Sequence, residues 1–311
     1  MATNPLAVRL SRWLLPRMAP VVVPHPIPGW YLGFGECRRD LRHRARKLLL
    51  RSFKTSARLH WIDDLELIAY PYNEVTRSLM MTGLYDPTEL SYLQQTLQPG
   101  MTFIDAGANL GLYSLVASRR VGPEGRVIAI EPSCREHDRL LRHIDINHAN
   151  NIEALKLAVA DDIDTIGLKV ADDKHAGHNT LGSFAYEATR LDRVECVRTT
   201  TIDQIVSQRS LSRVDLIKLD IEGAELAAIR GASETLQRFQ PELLVEFNEK
   251  SLNAQGATAA DLWSQIESHG YEIGSIDNTR GAFTPTTLDN RPGISLNLIA
   301  RHKQQVNRLA A

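Results

Sequence analysis

This 311-residue chain predicts a doubly wound α/β fold, a mostly parallel sheet with helices on both faces. Two observations carry that reading. From about residue 88 onward, short apolar runs alternate with amphipathic stretches. One of those runs feeds a glycine-bearing turn, Asp105-Ala-Gly-Ala-Asn-Leu-Gly111, that leads straight into a helical stretch.

The first residues, up to Trp30, are apolar but interrupted by Pro16, Pro20, Pro24, Pro26 and Pro28. No apolar run there approaches the roughly 20 residues of a membrane span, and no clean hydrophobic core precedes a small-residue cleavage site. An irregular arm packed on the protein or on a partner is expected. Residues 37–60 predict a basic amphipathic helix, with Leu41, Ala45, Leu48, Leu49 and Phe53 at helical spacing among arginines and lysines. It would either cap the main domain as a solvated helix or offer a weak contact to an anionic carrier or a membrane headgroup. Residues 1–82 are therefore expected to form an N-terminal, mainly helical extension, and 83–303 the α/β domain.

Within the latter, strands are expected at Met101–Ile104, Arg126–Ile130, Ala154–Val159, Val214–Leu219, Leu243–Phe247, Tyr271–Ile276 and Ile294–Ala300. Helices are expected at 88–97, 111–119, 134–147, 223–238 and 258–268. Two further strands, Thr165–Val170 and Val194–Thr200, flank a polar loop that holds His175, His178 and Asn179 and breaks the alternation.

Hydrophobic residues make up 43% and charged residues 23%, ordinary globular usage, so disorder is not expected. The 36 basic and 37 acidic side chains leave a formal net charge of −1, which gives no reason to expect nucleic-acid binding. Cys37, Cys134 and Cys196 are odd in number and far apart, without zinc or disulfide spacing, and fit a reducing cytoplasmic setting. Oligomeric state is not legible.

The turn after Phe103-Ile-Asp105 sits where open α/β sheets bind ligands. Gly107 and Gly111 allow a sharp turn and close backbone approach. A dinucleotide fingerprint would need glycine at Asn109 and at Leu112, and both fail; no Gly-Lys-Ser/Thr follows for a phosphate loop. Asp105 before the turn suits a cationic, phosphate-free ligand, and S-adenosylmethionine carries a sulfonium and an ammonium. Glu131, ending the second run as Ala-Ile-Glu-Pro, suits a ribose diol, since a carboxylate offers two acceptor oxygens. Asp161, after the third run, suits the adenine amino group. Asp105, Gly107, Asn109, Gly111, Glu131 and Asp161 are thus the expected cofactor-binding set.

These motifs, together with Gly83-Leu-Tyr-Asp-Pro-Thr-Glu89, Asn147, Thr201-Ile-Asp203 and the long string Asp215-Leu-Ile-Lys-Leu-Asp-Ile-Glu-Gly-Ala-Glu225, resemble the FkbM family of methyltransferases. The resemblance runs from about Gly83 to Asn278. It implies a seven-stranded, Rossmann-like class I methyltransferase sheet, S-adenosylmethionine as methyl donor, and O-methylation of a sugar, glycolipid or secondary metabolite, so a small-molecule or carbohydrate acceptor.

A hydroxyl acceptor must lose its proton as the methyl arrives, so a carboxylate, a histidine or a metal is expected nearby. Asp220 and Glu222 follow the fourth strand, Glu246 lies at the fifth, and His178 lies in the polar loop; these four are the expected catalytic residues. Asp220 and Glu246 stand at positions similar to the metal-binding acids of catechol-type O-methyltransferases. They could take Mg²⁺ or act as base without one, and no residue is assigned to a metal. Lys218 is expected to pair with a neighbouring carboxylate. Two alternatives remain open: a nicotinamide-dependent oxidoreductase, against which the glycine spacing stands, and a catalytically inactive cofactor-binding module, against which the acids stand.

Overall fold

The computed structural model describes residues 53–82, 85–276, 283–290 and 295–304. Its central sheet has eight strands. Five run parallel: β3 (Thr102–Ala106), β4 (Arg126–Ile130), β5 (Ile152–Leu155), β9 (Leu216–Leu219) and β10 (Glu242–Asn248). β13 (Ser295–His302) inserts antiparallel between β10 and β11 (Tyr271–Ile276), and β12 (Phe283–Pro285) adds an edge strand beyond the seven expected. The order β12-β11-β13-β10-β9-β3-β4-β5 reverses between β9 and β3, so the switch point where such sheets bind ligands lies between those two strands.

Period-2 alternation sends neighbouring side chains to opposite faces, and both faces are covered. Phe103, Val127, Leu216 and Leu244 pack on one side with Leu115 and Val116 of α3 (Leu112–Val121), Leu140 of α4 (Cys134–Ile146) and Leu93 of α2 (Pro87–Thr96). Ile104, Ile128, Ile217 and Leu243 pack on the other side. There they meet α5 (Ile202–Gln208), α6 (Glu225–Arg230), α7 (Ser233–Phe239) and α9 (Ala259–Ser268), with Trp263 and Tyr271 inside this core as their composition suggests.

Three expectations need correction. The run 154–159 is not one strand: after β5 the chain turns, and β6 (Ala158–Val159) joins a separate three-stranded sheet with β8 (Leu191–Thr200) and β7 (Thr165–Ala171). The helix expected over 223–238 is two, broken where Gly231 comes so close to the Ala160 carbonyl that a Cβ would lie 2.3 Å from it. The end of the expected basic helix is a strand, since β1 (Ala57–His60) alternates buried and exposed residues and pairs antiparallel with β2 (Glu66–Ala69). The rest of that helix, 37–52, and the N-terminal arm lie outside the described residues. The described part of the extension, including α1 (Glu74–Thr82), is built into the main core through Phe53, Leu59, Leu67, Leu79 and Met80. No helix among the described residues is long and apolar enough to cross a membrane.

His143 on α4 fastens this hairpin to the glycine turn. Ile68 N–H donates to its Nε2 at 2.9 Å, which requires the neutral ring, and its Nδ1 then donates to the Leu110 carbonyl at 2.8 Å. Burial, with Arg139 nearby, holds the His143 ring below the ordinary histidine range. The fold accepts only the neutral ring, whereas the unfolded chain takes up a proton below about pH 6.5. This contribution is therefore complete above that pH and is lost as pH falls toward the folded-state value. His143→Gln should cost about 1–3 kcal/mol at pH 7.5. The cost should shrink between pH 7 and 5.5 in urea melts of the two proteins, and a cost constant with pH would contradict the bond pattern.

Candidate active site

A cavity of about 510 Å³ opens at the carboxyl ends of β3, β4, β9 and β10. Gly107, Asn109, Glu131, His178, Asp220, Glu222 and Glu246 line it, so the fold brings together seven of the ten residues singled out from sequence. Glu74, Ser78, Tyr85, Asp86, Tyr113 and Lys218 join them from elements to which no role had been given or only a pairing.

At one end Glu131 follows β4 and is 5% exposed. Its Oε2 accepts the Asn109 amide at 2.9 Å and its Oε1 accepts the Ser133 amide at 3.0 Å, which fixes the carboxylate while leaving lone pairs toward the cavity. Burial, with the fully buried Glu136 beside it, raises its pKa to about 8.

The middle of the cavity is the switch point. Gly107 has φ +81°, and a Cβ there would lie 1.9 Å from the Asp220 carbonyl oxygen. The neighbouring strand end thus makes a close approach that by itself demands glycine. Gly111 (φ +85°) is likewise pressed by the Leu140 side chain, which a Cβ would meet at 2.4 Å.

Asp105 is 0% exposed and does not line the cavity. Its carboxylate takes the Ser114 hydroxyl at 2.6 Å and lies close enough to Lys218 for mutual charge stabilisation. Lys218, 2% exposed, bonds Asp220 Oδ2 at 2.8 Å and lies 4.5 Å from the centre of the Tyr113 ring. Burial by itself would lower the Lys218 pKa, but Asp220 and Asp105 outweigh it and hold the ammonium above its ordinary range.

Of the two uses open to Asp220 and Glu246, with Mg²⁺ or without it, this bears on the first: the cation already at Asp220 is a lysine. Among the described residues no group of three or more His, Cys, Asp or Glu side chains is arranged to hold a metal ion. The residues present do not fit Mg²⁺.

The third end is the polar loop between β7 and β8. Its docking contacts are the Gly177 amide on Glu74 (2.6 Å), Asn109 Nδ2 on the Ala176 carbonyl (3.2 Å) and Arg139 forked onto Asp173 (2.6 and 3.0 Å). His178 Nδ1 meets Glu222 Oε1 at 3.0 Å, and Ser251 Oγ donates to the other Glu222 oxygen at 3.0 Å. The Glu222 bond, more than the opposing burial, raises the His178 pKa. Glu222 has φ +52°, a strained setting for a non-glycine residue that its bonds hold in place. Glu225 is fully buried and accepts the Ile221 and Gly223 amides, a structural use of the kind its helix-start position suggests.

Asp161 is exposed and outside the cavity, because it follows β6 in the small sheet and not the third strand of the large one. At that place the structure has an apolar niche lined by Pro132, Leu157, Leu181, Ile221 and Ala224, adjoining the cavity at Gly107.

The Methyltransferase FkbM domain family matches residues 105–273, more than half of the chain. The chain belongs to the FkbM methyltransferase family. Methyltransferase sdnD of Sordaria araneosa is 27% identical over 195 residues, covering 55% of this chain and 73% of that protein. The AMB antimetabolite synthetase AmbE of Pseudomonas aeruginosa is 22% identical over 209 residues, 57% of this chain but a tenth (10%) of its own length. Among solved structures, the FkbM methyltransferase from Methylobacillus flagellatus has a TM-score of 0.41 at 16% identity, covering 73% of this chain and 52% of that one. The FkbM match begins at Asp105 and so leaves out Glu74, Tyr85 and Asp86, which the fold nonetheless brings to the same cavity.

Proposed function

We propose that this FkbM methyltransferase binds S-adenosylmethionine in the cavity and transfers its methyl group to a hydroxyl oxygen of a small molecule, a sugar, glycolipid or secondary metabolite. The observation that carries the oxygen acceptor is the Ser251–Glu222–His178 chain of hydrogen bonds at the cavity wall. Glu222 fixes the imidazole, as an orienting carboxylate does for a general base. When bound, the donor supplies a sulfonium methyl: the S–C bond breaks as the O–C bond forms, and S-adenosylhomocysteine remains. The hydroxyl proton passes to neutral His178. Glu246, also on the wall, orients the acceptor, while Asp220 is engaged by Lys218. Glu131 accepts the ribose hydroxyls, and Pro132 and Ile221, which line the cavity itself, offer the adenine an apolar wall that Asp161 does not reach.

The reading is tested by calorimetric titration and by a screen of carbohydrate, lipid and polyketide extracts for one added methyl. S-adenosylhomocysteine should bind and NAD should not; the reverse pattern, or methyl appearing only on nitrogen or carbon acceptors, would refute it. Because Glu131 must be ionised to accept from both hydroxyls, affinity should rise from pH 6 to 8 and level off above. Two charge-assisted bonds at about 1.5–3 kcal/mol each make the expected loss in Glu131→Gln 100-fold or more.

A further inference from the structure

Asp86 occupies the N-cap of α2, just before Pro87, with φ +37°, a left-handed setting. An aspartate at that place ordinarily accepts an amide of the first turn, worth about 1 kcal/mol to the helix. Asp86 makes no such bond. Its carboxylate instead takes the Tyr113 hydroxyl at 3.1 Å and lines the cavity beside Tyr85, Lys218 and Asp220. The fold thus forgoes a cap and holds a strained residue to keep this carboxylate at the cavity wall.

Two neighbouring acids are matched already: Asp105 is wholly buried under Ser114 and Lys218, and the charge of Asp220 is balanced by the Lys218 ammonium. Asp86 retains acceptor positions, since its one named bond occupies a single lone pair of the four a carboxylate offers. The ribose acceptor Glu131 follows β4, on the other side of the β3–β9 switch point from Lys218 of β9 and Asp220 just after it, which neighbour Asp86. An adenosyl compound whose ribose lies on Glu131 therefore extends its amino-acid tail across the switch point.

We propose that Asp86 receives the primary ammonium of that tail, an inference that rests on the cofactor reading above. The role expected of Asp105 passes to an acid delivered by the Asp-Pro-Thr-Glu segment that precedes the sheet. Burial, with Glu89 and Asp220 nearby, raises the Asp86 pKa to about 7, as befits a carboxylate awaiting a cation. An ammonium arriving there stabilises the ionised form and releases the proton.

The probes are S-adenosylhomocysteine and its deamino analogue, in which hydrogen replaces the ammonium. Asparagine is isosteric and tolerates the left-handed backbone, so Asp86→Asn keeps the fold, verified by its melting curve. We expect Asp86→Asn to weaken S-adenosylhomocysteine binding about 10- to 100-fold, the worth of one charged hydrogen bond, and the deamino analogue less than about 3-fold. Wild-type protein alone supplies a second measurement: it should prefer S-adenosylhomocysteine to the deamino analogue by a similar factor. Equal loss for both probes, or no preference in the wild type, would overturn the assignment while leaving the cofactor reading intact. If neither probe binds wild-type protein, the cofactor reading itself fails, and this inference with it.

Discussion

Lys218→Met should destabilise the protein by about 3–5 kcal/mol, the usual cost of leaving a buried charge without its partner. Methionine matches the lysine stem in length, so the substitution removes charge and little volume. What it strands is Asp105, 0% exposed, together with Asp220 at 2.8 Å and the Tyr113 ring that now faces an ammonium. Burial already pushes Asp105 upward, opposed first by Lys218 and then by the Ser114 hydroxyl. Without the lysine it would protonate or draw in water. Urea melts at pH 7.5 measure the loss. Adding Asp105→Asn to the methionine variant should recover at least about 1 kcal/mol, the coupling expected of groups in direct electrostatic contact. A loss below 1 kcal/mol with no recovery would show that Lys218 does not hold the two acids together.

Gly107→Ala is the second large effect. The added Cβ would meet the Asp220 carbonyl oxygen at 1.9 Å and the Ile221 side chain at 3.2 Å, and φ is +81°. Because the obstacle is backbone on the neighbouring strand, relief requires β3 and β9 to separate at the floor of the site. We expect loss of S-adenosylhomocysteine binding and a destabilisation of more than about 3 kcal/mol, from steric conflict added to left-handed strain. Gly122→Ala is the control. Its φ of +66° with ψ −175° is a setting that favours glycine, but a Cβ there would have nothing within 4 Å, so it should cost the backbone strain alone, about 1–3 kcal/mol. Similar costs at the two glycines would mean that strand contact at Gly107 is not the reason glycine stands there.

Both variants concern residues that the sequence singles out: for Lys218 it announces a carboxylate partner without saying which, and for Gly107 it does not name the strand end it faces. Arg126–Ile130 read correctly to the residue because Val127–Ile130 is an apolar run between turns, and Tyr271–Ile276 did so although Glu272 and Ser275 interrupt its apolar residues. Ala154–Val159 misled because one apolar run served two sheets, and nothing local marks the corner between Leu155 and Ala158. The strand 57–60 reads as the tail of a helix in sequence, since its arginine and histidine fit a solvated helix face as well as a strand's exposed edge. The misassignment of Asp161 follows from that corner, as it was counted onto a strand to which it does not belong. Asp86 stands in plain view beside Pro87, but a helix-start aspartate reads as a cap, and only the structure reveals that the cap bond is missing and that Tyr113 takes the carboxylate.

From its residues alone this chain declares a parallel sheet, a glycine turn unsuited to pyrophosphate, an acid at the end of its second strand and the strings shared with the FkbM family, because periodicity and spacing are local and survive in one dimension. Which carboxylates face the cavity and which are sealed beneath it, and that a lysine is the cation beside Asp220, were decided by packing. Burial and charge pairing depend on side chains far apart in the chain, such as Asp86, Tyr113, Lys218 and Glu222 with Ser251, that meet only when the strands are side by side.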